Sequence, residues 1–70
     1  MVVMNAAEKG ERYARIFRKA GVFFGKGNIA RAVEVLKDGK ALADELGDGK
    51  MAERFAREIE TVSAPPEPPK

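Results

Sequence analysis

An all-α chain folded as a three-helix antiparallel bundle is what this sequence predicts, and three observations predict it. Apolar residues recur at i, i+3, i+4 and i+7 in three separate stretches, the spacing of one face of a helix. Each stretch is preceded by Asn5, Asn28 or Asp48, side chains suited to accept hydrogen bonds from the free N–H groups of a first helical turn. Between the stretches lie Gly25-Lys26-Gly27 and Gly47, and glycine enters the left-handed backbone that ends a helix at no Cβ penalty. Seventy residues make one domain, near the lower limit for independent folding.

Residues 1–5 are expected to fray. Helix one is predicted from about Ala6 to Phe24, with Asn5 as N-cap and Glu8 three residues on at the capping-box position. Its apolar stripe is Tyr13, Ile16, Phe17, Ala20 and Phe24. Gly10 weakens the first turns by about 1 kcal/mol relative to alanine. Helix two runs from about Ile29 to Leu46, with Ile29, Ala32, Val33, Leu36, Gly39, Ala43 and Leu46 facing inward and Gly47 as the stop. Helix three opens after Asp48 and runs from about Gly49 to Val62, its apolar face being Met51, Ala52, Phe55, Ala56, Ile59 and Val62. The domain thus spans residues 6–62. Residues 63–70, Ser-Ala-Pro-Pro-Glu-Pro-Pro-Lys, are expected to form a polyproline-like tail, because successive prolines remove donors and fix φ. The tail contains P-x-x-P-x-K, which fits an aromatic groove, although such tails serve more often as spacers.

Composition removes most catalytic designs. Without cysteine there is no disulfide framework, thiolate metal site or cysteine nucleophile. Without histidine there is no common zinc site, no imidazole acid–base pair and no Ser-His-Asp arrangement. A protein that is not an enzyme, without cofactor or metal, is the expectation. No apolar run exceeds four residues, against the roughly 20 that cross a bilayer. Met1-Val2-Val3-Met4 lacks the basic flank and long apolar region of a signal peptide, so a cytoplasmic protein is expected. Glutamine is absent, asparagine occurs twice, and charged residues make up 34% of the chain, a bias expected of a thermophile or of a GC-rich genome.

Two motif readings fail on spacing. Gly21 to Lys26 is one residue short of a phosphate loop, with Gly27 where Ser or Thr is required. Lys37-Asp-Gly-Lys40 and Gly47-Asp-Gly-Lys50 echo each other, but Asp38, Asp44 and Asp48 do not have the spacing of a calcium loop.

Ala20, Phe23, Gly27, Ala32, Val33, Leu36 and Gly39 fall, without gaps, on the small–aromatic–Gly–Ala–aliphatic–large–small pattern of a tetratricopeptide repeat, which Tyr13 to Leu46 therefore resembles. The resemblance implies a helical hairpin capped by helix three and a role in binding other proteins. In that family cationic side chains of each first helix often grip peptides. Lys19 departs from the pattern, standing where the repeat usually has leucine. Sliding helix one by a residue instead places Phe17, Ala20, Gly21 and Phe24 on the family's positions, so its register is open. The three-helix microtubule-interacting and trafficking domain is similar in size and has a comparable turn. An unrelated three-helix bundle carries the same spacing.

Charge is uneven along the chain. Residues 1–31 carry seven bases against two acids, a balance of +5, whereas residues 32–70 carry six against nine, a balance of −3. Arg12, Arg15, Lys19 and Lys26 follow one another at i, i+3, i+7 and i+14 as a basic stripe, either a solvated face paired locally (Glu8 with Arg12, Glu11 with Arg15) or a grip for acidic groups. Phe23 and Phe24 diverge by about 100° on a helix, so one of them faces outward. These features single out Arg15, Arg18, Lys19, Phe23, Phe24 and Lys26 as partner-binding residues. The expected function is non-catalytic protein–protein interaction, as an adaptor, chaperone-like subunit or assembly factor, with self-association into a homo-oligomer. The alternative is a small nucleic-acid-binding protein using the basic first helix, against which stands the net charge of only +2.

Overall fold

A computed structural model of the chain describes residues 5–63, and these form three helices: α1 (Ala6–Gly25), α2 (Ile29–Glu45) and α3 (Gly49–Ser63). Ser63, assigned by sequence to the tail, is the last residue of α3; the polyproline tail and its P-x-x-P-x-K motif lie otherwise outside the described residues.

Local chemistry sets each helix end. The Asn5 side chain accepts from the Glu8 N–H at 2.8 Å. Asn28 accepts from the Arg31 N–H at 3.3 Å, and Asp48 from the Met51 N–H at 3.3 Å. The two interhelical turns are built alike. After α1, Gly27 adopts φ 79°, its N–H reaching the Phe24 carbonyl at 3.0 Å while the Asn28 N–H reaches the Phe23 carbonyl at 2.9 Å. After α2, Gly47 adopts φ 68°, its N–H reaching the Asp44 carbonyl at 3.2 Å and the Asp48 N–H the Ala43 carbonyl at 2.8 Å. A left-handed glycine therefore closes one helix, and the next residue caps the following one. Turns this short make sequential helices antiparallel, which leaves α1 and α3 parallel to each other.

The middle helix carries the packing. Both α1 and α3 lie on α2, while no Cα of α1 comes within 8 Å of α3. The outer helices meet instead through side chains around Phe55, which is fully buried. Its ring stacks on Phe17 with centroids 4.6 Å apart and 10° between planes, and is tilted against Tyr13 at 5.7 Å. Its other side rests on Gly39 of α2, where a Cβ would stand 2.5 Å from the ring. Tyr13, Ala20, Ala32, Val35, Leu36 and Ala43 complete the buried set.

The structure corrects the sequence-predicted faces at both sides of the hairpin tip. Phe24, assigned to the apolar stripe, is 52% exposed, whereas Phe23 is half-buried and packs against the core. Ile29, expected inward, is exposed as the first residue of α2. Val35, which was not expected inward, is buried. The reason is geometric: a helix covered by two neighbours needs a wider apolar face than a single stripe, and at the tip the side chains of the neighbouring helices leave Phe24 and Ile29 uncovered.

Candidate functional site

Beyond the Phe17–Phe55 stack, toward the hairpin tip, the outer helices leave a cleft. Its volume is about 280 Å³. Ala20 and Ala32 give it a floor of small side chains, with Leu36 alongside; Phe17, Gly21 and Phe24 form the α1 wall. Glu58, Thr61 and Val62 form the α3 wall. The lining is mainly apolar, and Glu58 is its one charged group. Arg54 of α3, outside this lining, sets its guanidinium 5.2 Å from the centre of the Phe17 ring.

Why the cleft exists follows from helix register. Phe17 and Phe55 are level, and seven residues further along each parallel helix come Phe24 and Val62. The first pair meets ring to ring. The second pairs a phenylalanine with a valine too short to reach it. Gly21 sits between the two aromatic levels of α1, and a Cβ there would meet nothing within 4 Å. The large exposed hydrophobics, Val22, Phe24 and Ile29, all gather at this end of the bundle.

Of the six residues singled out by sequence, the cleft contains one, Phe24. Phe23 packs against the core. Arg15, Arg18, Lys19 and Lys26 are exposed; on a 100°-per-residue helix Arg15 and Lys19 project from the face of α1 turned away from the cleft, and Lys26 is the cap residue just beyond the helix. Arg18 lies between that face and the cleft wall. Arg15 holds Glu11 at 3.0 Å, as the local-pairing reading expected, while Glu8 engages Asn5 rather than Arg12. Sequence reasoning missed Gly21, Glu58, Thr61 and Val62. Only Gly21 left a signal, as an interior helix glycine on the exposed side of α1.

A second polar cluster lies at the opposite end. The Tyr13 hydroxyl donates to Asp48 Oδ2 at 3.2 Å, and Lys9 Nζ stands 3.3 Å from the same oxygen. Burial, together with the Asp48 charge and its hydrogen bond, pushes the Tyr13 hydroxyl above its ordinary pKa, so it is held protonated. At Asp48 the upward effect of desolvation is outweighed by the Met51 N–H, the Lys9 ammonium and the Tyr13 hydroxyl, which together hold the carboxyl below its ordinary value. This cluster ties the α2–α3 turn to α1. Its chemistry is that of a latch, with the tyrosine held as a neutral donor and the aspartate as a fixed acceptor.

Among the described residues no group of carboxylates is arranged to hold a metal ion, and no helix is long and apolar enough to cross a membrane. The chain matches no family model, no curated protein and no solved structure.

Proposed function

We propose that this chain is a non-catalytic protein-interaction module that receives an apolar helix face in the cleft between α1 and α3, with Phe24 as the anchor. One observation carries the reading: a phenylalanine 52% exposed at the mouth of an apolar cleft floored by alanine and walled in part by glycine. Contiguous exposed apolar surface marks interaction sites and grooves, and binding energy concentrates where a large side chain is desolvated in a well-packed pocket. The small-residue packing of the hairpin, with Ala20 and Ala32 buried where α1 meets α2, also supports the tetratricopeptide-like reading of this unit.

The test uses a photo-crosslinking side chain. Placed at Gly21 on the cleft wall it is expected to give adducts with a discrete polypeptide, and placed at exposed Asp38 of α2 it is not. Phe24→Asp is expected to lower the Gly21 adduct yield at least tenfold without loss of helix content. Equal yields from both positions would end the proposal.

A second reading is favoured by the outer face of α1 and its C-cap, where Arg12, Lys19 and Lys26 are exposed and no ion pair engages them among the described residues. Such a face suits a nucleic-acid backbone. Binding to duplex DNA or RNA that weakens steeply with salt would select it over the docking module.

A further inference from the structure

The α1 wall of the cleft is part of a longer feature. Six of the fourteen exposed residues of α1 are charged: Glu8, Glu11, Arg12, Arg15, Arg18 and Lys19. Ala7, Gly10, Ala14, Phe17, Gly21 and Phe24 carry no charge and follow one another three, four, three, four and three residues apart. That is the heptad spacing of a helix–helix seam, and the six fall in a sector roughly 100° wide. All but half-buried Phe17 are exposed. The seam opens directly into the cleft through Phe17, Gly21 and Phe24.

Resting on the docking reading above, we propose that the occupant is a second copy of this chain, which lays its own α1 antiparallel along the seam and over the cleft. Side-chain size and charge select the same register independently. With Ala7 set opposite Phe24 of the second copy, Ala14 falls opposite its Phe17 and Gly10 opposite its Gly21, and the two-fold axis repeats each layer. Every phenylalanine then meets an alanine, and the two glycines that face each other let the backbones approach. A parallel pairing would instead set Phe17 on Phe17, Phe24 on Phe24 and glycine on glycine, crowding some layers and emptying others.

Charge favours the same register, with Glu11, which holds Arg15 within its own helix, open to a second base. Glu11 and Arg18 flank the seam on the side away from the bundle core, both exposed. In the proposed register Glu11 lies about two residues, or ~3 Å along the axis, from the level of Arg18 in the second copy, within ion-pair reach, and the symmetry makes the pair twice. The antiparallel register one heptad away sets Arg18 against Arg18 and leaves Ala7 and Gly10 unpaired. An interface made by the same surface on both copies closes as a dimer, with no free seam left to propagate.

The full chain tests this by sedimentation equilibrium with two exposed-site variants. The wild type is expected to sediment at twice its 7.6 kDa. Arg18→Glu places acid against Glu11, and Glu11→Arg places base against Arg18, so each alone is expected to weaken association at least tenfold. Mixed in equal amounts they pair acid with base at both sites, and the dimer is expected to return. Disulfide trapping reads the register directly, since the chain has no cysteine of its own. Gly10→Cys and Gly21→Cys chains mixed under oxidation are expected to link to each other. Gly21→Cys alone is not, its two copies lying eleven residues, about 16 Å, apart along the axis. A wild-type monomer at 100 µM, single variants that dimerise as well as wild type, or a mixture that stays monomeric would each overturn the proposal. A monomer that still forms Gly21 photo-adducts with another protein would overturn the second copy alone, whereas absence of any adduct would overturn the docking reading with it.

Discussion

At the scale of single residues, the contact between Gly39 and Phe55 decides how closely α2 and α3 can pack. Alanine at position 39 would gain helix propensity, about 1 kcal/mol, and lose more than that by overpacking. Its Cβ would stand 2.5 to 2.9 Å from three atoms of a ring that is fully buried and already stacked on Phe17, so the ring has nowhere to retreat. Gly39→Ala is expected to destabilise the fold by about 1–3 kcal/mol in urea unfolding, and unchanged stability would mean that α3 slides freely on α2. The Tyr13–Asp48 latch makes a second residue-scale prediction. Asp48 titrates below its ordinary value in the folded chain, so its stabilisation is present above about pH 4 and fades as pH falls through the folded pKa. Tyr13 titrates above its ordinary value, so the folded state loses stability as pH rises past about 10, where only the unfolded chain sheds the proton. Tyr13 is the one tyrosine, so tyrosinate absorbance reports that ionisation alone. Melting curves against pH are expected to fall at both ends, and Asp48→Asn to flatten the acid limb.

At the scale of elements, the two turns do the same work with different caps, and neighbouring glycines in the first one have opposite roles. Gly27 holds φ 79°, where any Cβ is strained by about 1–2 kcal/mol. Gly25 closes α1 without positive φ, in open space. Gly27→Ala is therefore expected to lower stability by about 1 kcal/mol or more, and Gly25→Ala to raise it by about 0.5–1 kcal/mol. Thermal melts of the two variants should shift in opposite directions, and shifts of the same sign would contradict the turn geometry. Such local chemistry is why the fold class and the caps at Asn5, Asn28 and Asp48 were legible in sequence: each depends on residues within one helical turn. Val35 was not legible, because its burial depends on α2 having a neighbour on either side. The cleft was less legible still. It depends on the level at which α3 stands beside α1, which a stripe pattern on either helix does not contain. Phe23 and Phe24 show the same limit, since helical spacing says that they diverge and only the bundle says which one is covered.

At the scale of the whole molecule, stability and docking draw on adjacent parts of one interface between α1 and α3, and a single position separates them. Phe17 and Phe55 close the lower level with an aromatic stack; Phe24 and Val62, one heptad on, leave the upper level open. Val62→Phe restores a ring at the open level, inside a cleft of about 280 Å³ that holds no competing side chain larger than Phe17 and Phe24. Measured at concentrations where both chains are monomeric, the new aromatic pair is expected to add about 0.5–1.5 kcal/mol and raise Tm by several degrees in a chain of this size. The same ring takes the space into which a partner helix would settle, so Gly21 cross-linking and self-association are both expected to drop. Phe24→Asp is the complementary change. Its side chain is half-exposed and contributes little to the monomer's core, so at concentrations low enough to keep the wild type monomeric Tm is expected to move by no more than a degree or two, while docking is lost. If Val62→Phe raised Tm and left docking intact, the partner would not enter the cleft. If it lowered Tm, Phe24 and Val62 would not stand level, and the register that opens the cleft would be wrong.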